Sequence, residues 1–150
     1  MKKFFAFSAA FFVSLFFAAC DSSTSSSDPE SSSSSISAED CTLTEEGVKV
    51  LRPAGGEVFS IGDSIEITFV ANYKNAGGFH VLFKADSSAE GVDLFSGSIG
   101  DDAPDGTSCT TVKALLSSDA ATASENAFVR VSAYNAGRIR GDSKAFTVKE

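Results

Sequence analysis

From residue 48 onward, apolar and polar residues alternate in short runs. Val48-Lys49-Val50-Leu51 predicts a first strand. Ile65, Ile67 and Phe69 alternate with Glu66 and Thr68, the period of two expected of a half-buried strand. Phe79, Val81 and Phe83 alternate with His80, Leu82 and Lys84. Val92–Ser98 and Thr110–Leu116 predict two more strands, Val129, Val131 and Ala133 another, and Phe146 and Val148 the last. Turn chemistry separates them: Pro53-Ala54-Gly55-Gly56, Asn75-Ala76-Gly77-Gly78, Asp86–Gly91, the loop Gly100–Ser108 and Asn135-Ala136-Gly137. Ser117–Asn126 is a small-residue loop in which Ala120-Ala121-Thr122-Ala123 predicts a helical turn. That makes about seven short strands without an amphipathic helix between them. The expected fold is all-β, an immunoglobulin-like antiparallel sandwich over residues 41–150, because each strand has one apolar face to cover. The chain has no Trp, so an antibody-type core built on Trp is excluded.

The other apolar run lies at the N-terminus. Lys2 and Lys3 precede Phe4–Ala19, which carries no charge. Crossing a bilayer takes about 20 apolar residues, and this run is shorter and followed by Asp21 and serines. It reads as an export signal over residues 1–19. Ala18-Ala19-Cys20 resembles the lipobox of bacterial lipoproteins, with Phe17 where those proteins usually carry Leu or another aliphatic residue. The resemblance implies lipidation of Cys20 and a membrane partner reached through that lipid. The other reading is ordinary cleavage near Ala19 with a free Cys20.

Residues 20–40 form a low-complexity segment. Eleven of the residues from Ser22 to Ser37 are serine, and only Ile36 offers apolar surface. Such a stretch reads as a disordered tether with a root-mean-square reach of about 25 Å. With Cys20 taken by lipid, Cys41 and Cys109 remain. An oxidising envelope permits a disulfide between them; two separate thiols are the alternative. The chain has no CxxC and one His, so nothing else recommends these cysteines as metal ligands.

Charge narrows the partners. The chain has 12 Lys and Arg against 20 Asp and Glu, and removal of Lys2 and Lys3 with the signal would leave a net charge of −10. A surface that acidic is repelled by nucleic-acid backbones and anionic headgroups, so no nucleic-acid partner is expected.

The stretch from Val48 to Phe69 contains Pro53-Ala54-Gly55-Gly56-Glu57-Val58-Phe59-Ser60-Ile61-Gly62-Asp63. It resembles the opening of the Ser/Thr-rich GPI-anchored membrane family, which includes the Ig-like N-terminal domain of fungal cell-wall β-1,6-glucan synthesis proteins. Gly141–Val148 resembles that family's closing strand. Phe69 stands where the family usually has Trp, and the segment Thr110–Leu116 lacks a second one. The resemblance implies an Ig-like domain and, by analogy alone, contact with a cell-wall glycan.

Few residues offer chemistry. His80 is the only His and reads as a strand-face residue without an orienting partner, so no Ser–His–acid set is expected. Asp101, Asp102 and Asp105 are a weak calcium candidate; an EF-hand is rejected because Ala103 replaces a ligand and Val112 stands at the twelfth position. Arg140-Gly141-Asp142 spells an integrin-type tripeptide, read here as chance at a turn. Arg130, Arg138, Arg140 and Lys144 form a basic cluster in an acidic chain. Tyr73 and Tyr134, the only tyrosines, are candidate sugar platforms together with Arg138 and Arg140, since a flat ring covers the apolar face of a pyranose.

The resulting expectation is a non-enzymatic protein without a cofactor, exported and lipid-anchored to the bacterial envelope, at the outer membrane or cell surface. It presents one Ig-like domain for cell-wall or glycan contact. A protein-binding assembly or adhesion subunit without sugar recognition is the alternative.

Overall fold

The computed structural model describes residues 35–150. The export signal, Cys20 and the tether up to residue 34 lie outside the described residues. The rest forms nine strands: β1 (Gly47–Arg52), β2 (Val58–Ser60), β3 (Ser64–Asn72), β4 (Phe79–Lys84), β5 (Val92–Asp93), β6 (Asp105–Leu115), β7 (Ser124–Ala133), β8 (Ala136–Asp142) and β9 (Phe146–Lys149). They make the expected all-β sandwich. One sheet has the order β1-β3-β6; the other runs β2-β9-β7-β4-β5, with β8 also paired to β7. The ladders are antiparallel except β2–β9.

The alternation read from the sequence places the core. Ile65, Ile67 and Phe69 of β3 are buried, as are Phe79, Val81 and Phe83 of β4, Val129, Val131 and Ala133 of β7, and Phe146 and Val148 of β9. Phe69 meets Phe79 edge to face at 5.2 Å, so a Phe pair does the work of the missing Trp. Phe59 meets Phe146 in the same way at 5.4 Å and closes the β2–β9 end.

The Pro-Ala-Gly-Gly-Glu stretch does more than turn. It carries the chain out of one sheet, where β1 pairs with β3, into the other, where β2 pairs with β9. The Arg52–Pro53 peptide is cis. The Glu57 carboxylate accepts from the amides of Ala54 and Gly55, both at 2.6 Å, so the crossing leaves neither donor unpaired. The Gly56 amide donates to the Ala145 carbonyl. Gly55 has φ +102°, and a Cβ there would stand 2.7 Å from Lys144 Cβ, so only glycine fits. The Gly62-Asp63 turn has the same design: the Asp63 carboxylate accepts from the Ser60 amide at 2.7 Å.

The expected cysteine pair is a disulfide, Cys41–Cys109, with Cα atoms 4.9 Å apart. It ties the chain's entry to a strand. Cys109 lies within β6, opposite Val70 of β3. Val70 points away from the core yet is fully buried, and the clasped segment accounts for it. Hydrogen bonds dock that segment further: the Leu43 amide donates to the Gly106 carbonyl, and Asn72 Nδ2 donates to the carbonyls of Leu43 and Thr44. Order begins before Cys41. Ser37 and Asp40 bond reciprocally, each side chain to the other's amide, which closes one turn over 37–40.

Four further expectations differ from the structure. β6 begins at Asp105, inside the stretch read as a loop, because Asp105 pairs with Asn72 of β3 across a bulge that takes up Gly106, Thr107 and Ser108. Val92–Ser98 shrinks to the two residues of β5; Leu94 and Phe95 instead leave the ladder and pack against the core. Residues 136–142 are a strand, and the turn expected at 135–137 falls at Tyr134-Asn135. The helical turn expected at 120–123 is a turn at 117–121, where Ser117 O accepts from the amides of Ala120 and Ala121.

Two predictions follow from the crossing and the clasp. Glu57→Ala strands two amides, so the urea midpoint should fall by the equivalent of about 1–3 kcal/mol, and Glu57→Gln, which keeps one acceptor, should lose less. Cys41→Ser with Cys109→Ser should cost about 4 kcal/mol on the loop-entropy scale for a sequence separation of 68. A loss under about 1 kcal/mol in the same titration would show that the clasp is not a stability device.

Candidate functional site

The two sheets differ in what covers their outer sides. The Cys41 segment lies on the β1-β3-β6 sheet. On the other sheet, β4, β7 and β8 present a flat face whose side chains follow from register. His80 of β4 stands opposite Ser132 of β7, and Ser132 opposite Arg140 of β8. One step along, Leu82 stands opposite Arg130, and Arg130 opposite Asp142. The third row pairs Lys84 with Phe128. Along β8, Arg138, Arg140 and Asp142 are exposed around buried Ile139.

His80 acquires the partners that the linear sequence did not reveal. Its Nδ1 lies 3.2 Å from Asp93 Oδ1 on β5. Its ring stacks on Tyr134, with centroids 4.4 Å apart and planes 13° from parallel. Tyr134 remains 54% exposed, the largest aromatic surface left open on the domain. No local signal marks this trio. Its members are 13 and 54 residues apart, and only the β4–β5 and β4–β7 ladders bring them together.

Charge on this face is unevenly committed. Arg130 donates through Nε and Nη2 to the two oxygens of Asp142, both at 2.7 Å, a planar fork. Those hydrogen bonds, with the attraction of the same carboxylate, hold Arg130 above its ordinary value against partial burial. The guanidinium also lies over the Phe128 ring at 5.7 Å, and the Lys84 ammonium lies over it at 5.9 Å. Lys84 is buried and donates to the Ala89 carbonyl. Asp142 is thus taken by Arg130 and Asp93 by His80. Arg138 and Arg140 have no carboxylate partner among the described residues.

The other sequence candidates are elsewhere. Tyr73 is half-buried, packs against the core and donates its amide to the Pro104 carbonyl, so it shares no platform with Tyr134. Asp101 and Asp105 spend their carboxylates on local turns. Asp101 accepts from the Ala103 amide, and Asp105 from the amide and hydroxyl of Thr107, which hold it below the usual carboxylate value. Asp102 supplies its carbonyl to Gly77. Among the described residues, no three His, Cys, Asp or Glu side chains gather as a metal site. The Arg-Gly-Asp tripeptide is not at a turn: it lies in β8, where a Cβ on Gly141 would run into the Val48 carbonyl. Lys144 leaves the basic cluster and sits over Gly55.

What this face can do follows from its shape. Ser132 lies opposite His80, yet no hydrogen bond joins its hydroxyl to the imidazole, so a nucleophile–base relay is not assembled. An exposed ring, an oriented imidazole and two uncommitted guanidinia suit binding. No family model matches the chain, and no curated protein matches it either. Among the described residues, no helix is long and apolar enough to cross a membrane.

The Arg130–Asp142 fork should be a modest, measurable scaffold for this face. A double-mutant cycle with Arg130→Gln and Asp142→Asn should give a coupling of about 0.5–1 kcal/mol by urea denaturation, as for partly exposed pairs. A coupling of zero would show that the two residues do not hold each other in solution.

Proposed function

We propose that this is a non-enzymatic envelope protein, lipid-anchored through Cys20, that presents one Ig-like domain for contact with cell-wall or other envelope glycan. The observation that carries the reading is the placement of Tyr134. It is an exposed ring backed by His80, on the outer side of the sheet opposite the one that receives the N-terminal segment. A tethered domain with its entry clasped to one side leaves the other side free for a polymer. A pyranose covers such a ring with its C–H face. The lipobox-like Ala18-Ala19-Cys20 and the serine-rich tether support export and anchoring at the outer membrane or cell surface. The resemblance of the Pro53–Asp63 stretch to the wall-associated family supports the glycan part by analogy.

A second reading has its own observation. β6, eleven residues long, is the last strand of its sheet, and an added strand from a protein partner would pair along it beyond Gly106, whose carbonyl takes the Leu43 amide. An assembly or adhesion subunit would dock there and need no Tyr134.

Two measurements separate these readings. Intact mass of the membrane-extracted protein should show a chain beginning at Cys20 with a diacylglyceryl adduct; an unmodified Cys20 would remove the anchor. Pull-down on insoluble wall polysaccharides should retain the protein and lose it with Tyr134→Ala. If Tyr134→Ala is retained equally, or nothing is retained while cross-links map to β6, the protein-binding reading replaces the glycan one.

A further inference from the structure

The charge left over on the β4–β7–β8 face names a class of sugar. The chain as a whole is acidic, at −8. Yet the two carboxylates that the ladders place beside this row are engaged within the fold: Asp142 at both oxygens by Arg130, and Asp93 at one oxygen by His80. Arg138 and Arg140 are exposed cations with no acid of their own, and Arg140 stands in the same cross-strand row as Ser132 and His80. That row runs beside the Tyr134 ring, which stacks on His80 at 4.4 Å. A neutral sugar on Tyr134 would leave both guanidinia facing water. A carboxylate carried by that sugar accepts a forked pair of hydrogen bonds from one of them. We infer that this face binds uronic-acid sugars, with Tyr134 under the pyranose ring and Arg140, assisted by Arg138, on the carboxylate. The inference rests on the glycan reading above and adds the charge of the ligand.

The acidity of the rest of the chain does not defeat this. At physiological salt, charges are screened over about 8 Å. Exposed acids elsewhere on the surface that lie farther than this from the face contribute little to it. A short uronic-acid oligomer therefore meets mainly the two arginines.

The test uses the full chain and trigalacturonate, with its methyl ester as the uncharged counterpart of identical ring structure. Isothermal titration should show trigalacturonate binding at least about tenfold more tightly than the ester, the factor expected when hydrogen bonds to a charged group are lost. Arg140→Gln should shrink that difference, and Arg138→Gln combined with Arg140→Gln should erase it. Arg140→Lys, which keeps charge without the fork, should fall between. Tyr134→Ala should weaken both sugars. Urea midpoints of the variants should match the parent, which separates lost binding from lost fold. Equal affinity for acid and ester, or an Arg138→Gln, Arg140→Gln double variant that still discriminates, overturns the uronate assignment while the glycan reading stands. If neither these sugars nor insoluble wall polysaccharide binds, both fall.

Discussion

The sandwich depends on the crossing between Arg52 and Val58. A strand that stayed in the first sheet would leave β9 as an open edge and that flank of the core uncovered. By moving across, the chain lays β2 beside β9 and brings Phe59 onto Phe146. The crossing exposes backbone donors at a place where no ladder can take them. Glu57 solves this locally by accepting from two amides with one carboxylate, and Ala145 accepts the third. Gly55 then lets Lys144 and Ala145 close over the bend. Gly55, Glu57 and Ala145 thus each have a duty set by the geometry of the crossing.

The disulfide acts on the other sheet. Val70 lies on the solvent side of β3, where an isolated sheet would favour a polar residue. Cys109, its cross-strand neighbour, holds the incoming chain there, and the Leu43 and Asn72 hydrogen bonds finish the seal. The sandwich is therefore asymmetric. One outer face is occupied by the protein's own N-terminal segment, and the other carries its polar and aromatic groups into solvent.

Much of the core was legible because β3, β4 and β7 alternate strictly, and a period of two needs no tertiary information. The strands that escaped notice lack that signal. β8 offers only Ala136 and Ile139 as inward apolar residues, with Arg138, Arg140 and Asp142 around them, so it reads as a polar connection. The start of β6 is Asp-Gly-Thr-Ser, turn-forming residues of which only Asp105 finds a partner, Asn72, on β3, the rest lying in a bulge. The site was less legible still. Tyr134 and Arg140 stood out as residue types, but their neighbours did not. His80 seemed to lack an orienting partner because Asp93 reaches it across a two-residue strand that no periodicity marks. Tyr73 and Tyr134 looked equivalent in the sequence; burial against the core and exposure over His80 are properties of the folded chain alone.

The pairing on β7 and β8 shows how an acidic protein keeps a positive face. Asp142 is the acid nearest along β8 to Arg140, and in an unfolded chain it would screen that charge as readily as any other. Folding places Asp142 opposite Arg130 instead, where a two-point fork holds it. Arg130 in turn is steadied over Phe128. The fork matches the Asp142 carboxylate to Arg130 at two points, and Arg140 is left with no ion pair of its own among the described residues. Asp93 is engaged at one oxygen by His80, whose ring also stacks on Tyr134. Net charge therefore misleads about this surface: the acids that would neutralise it are present, and register has already assigned them.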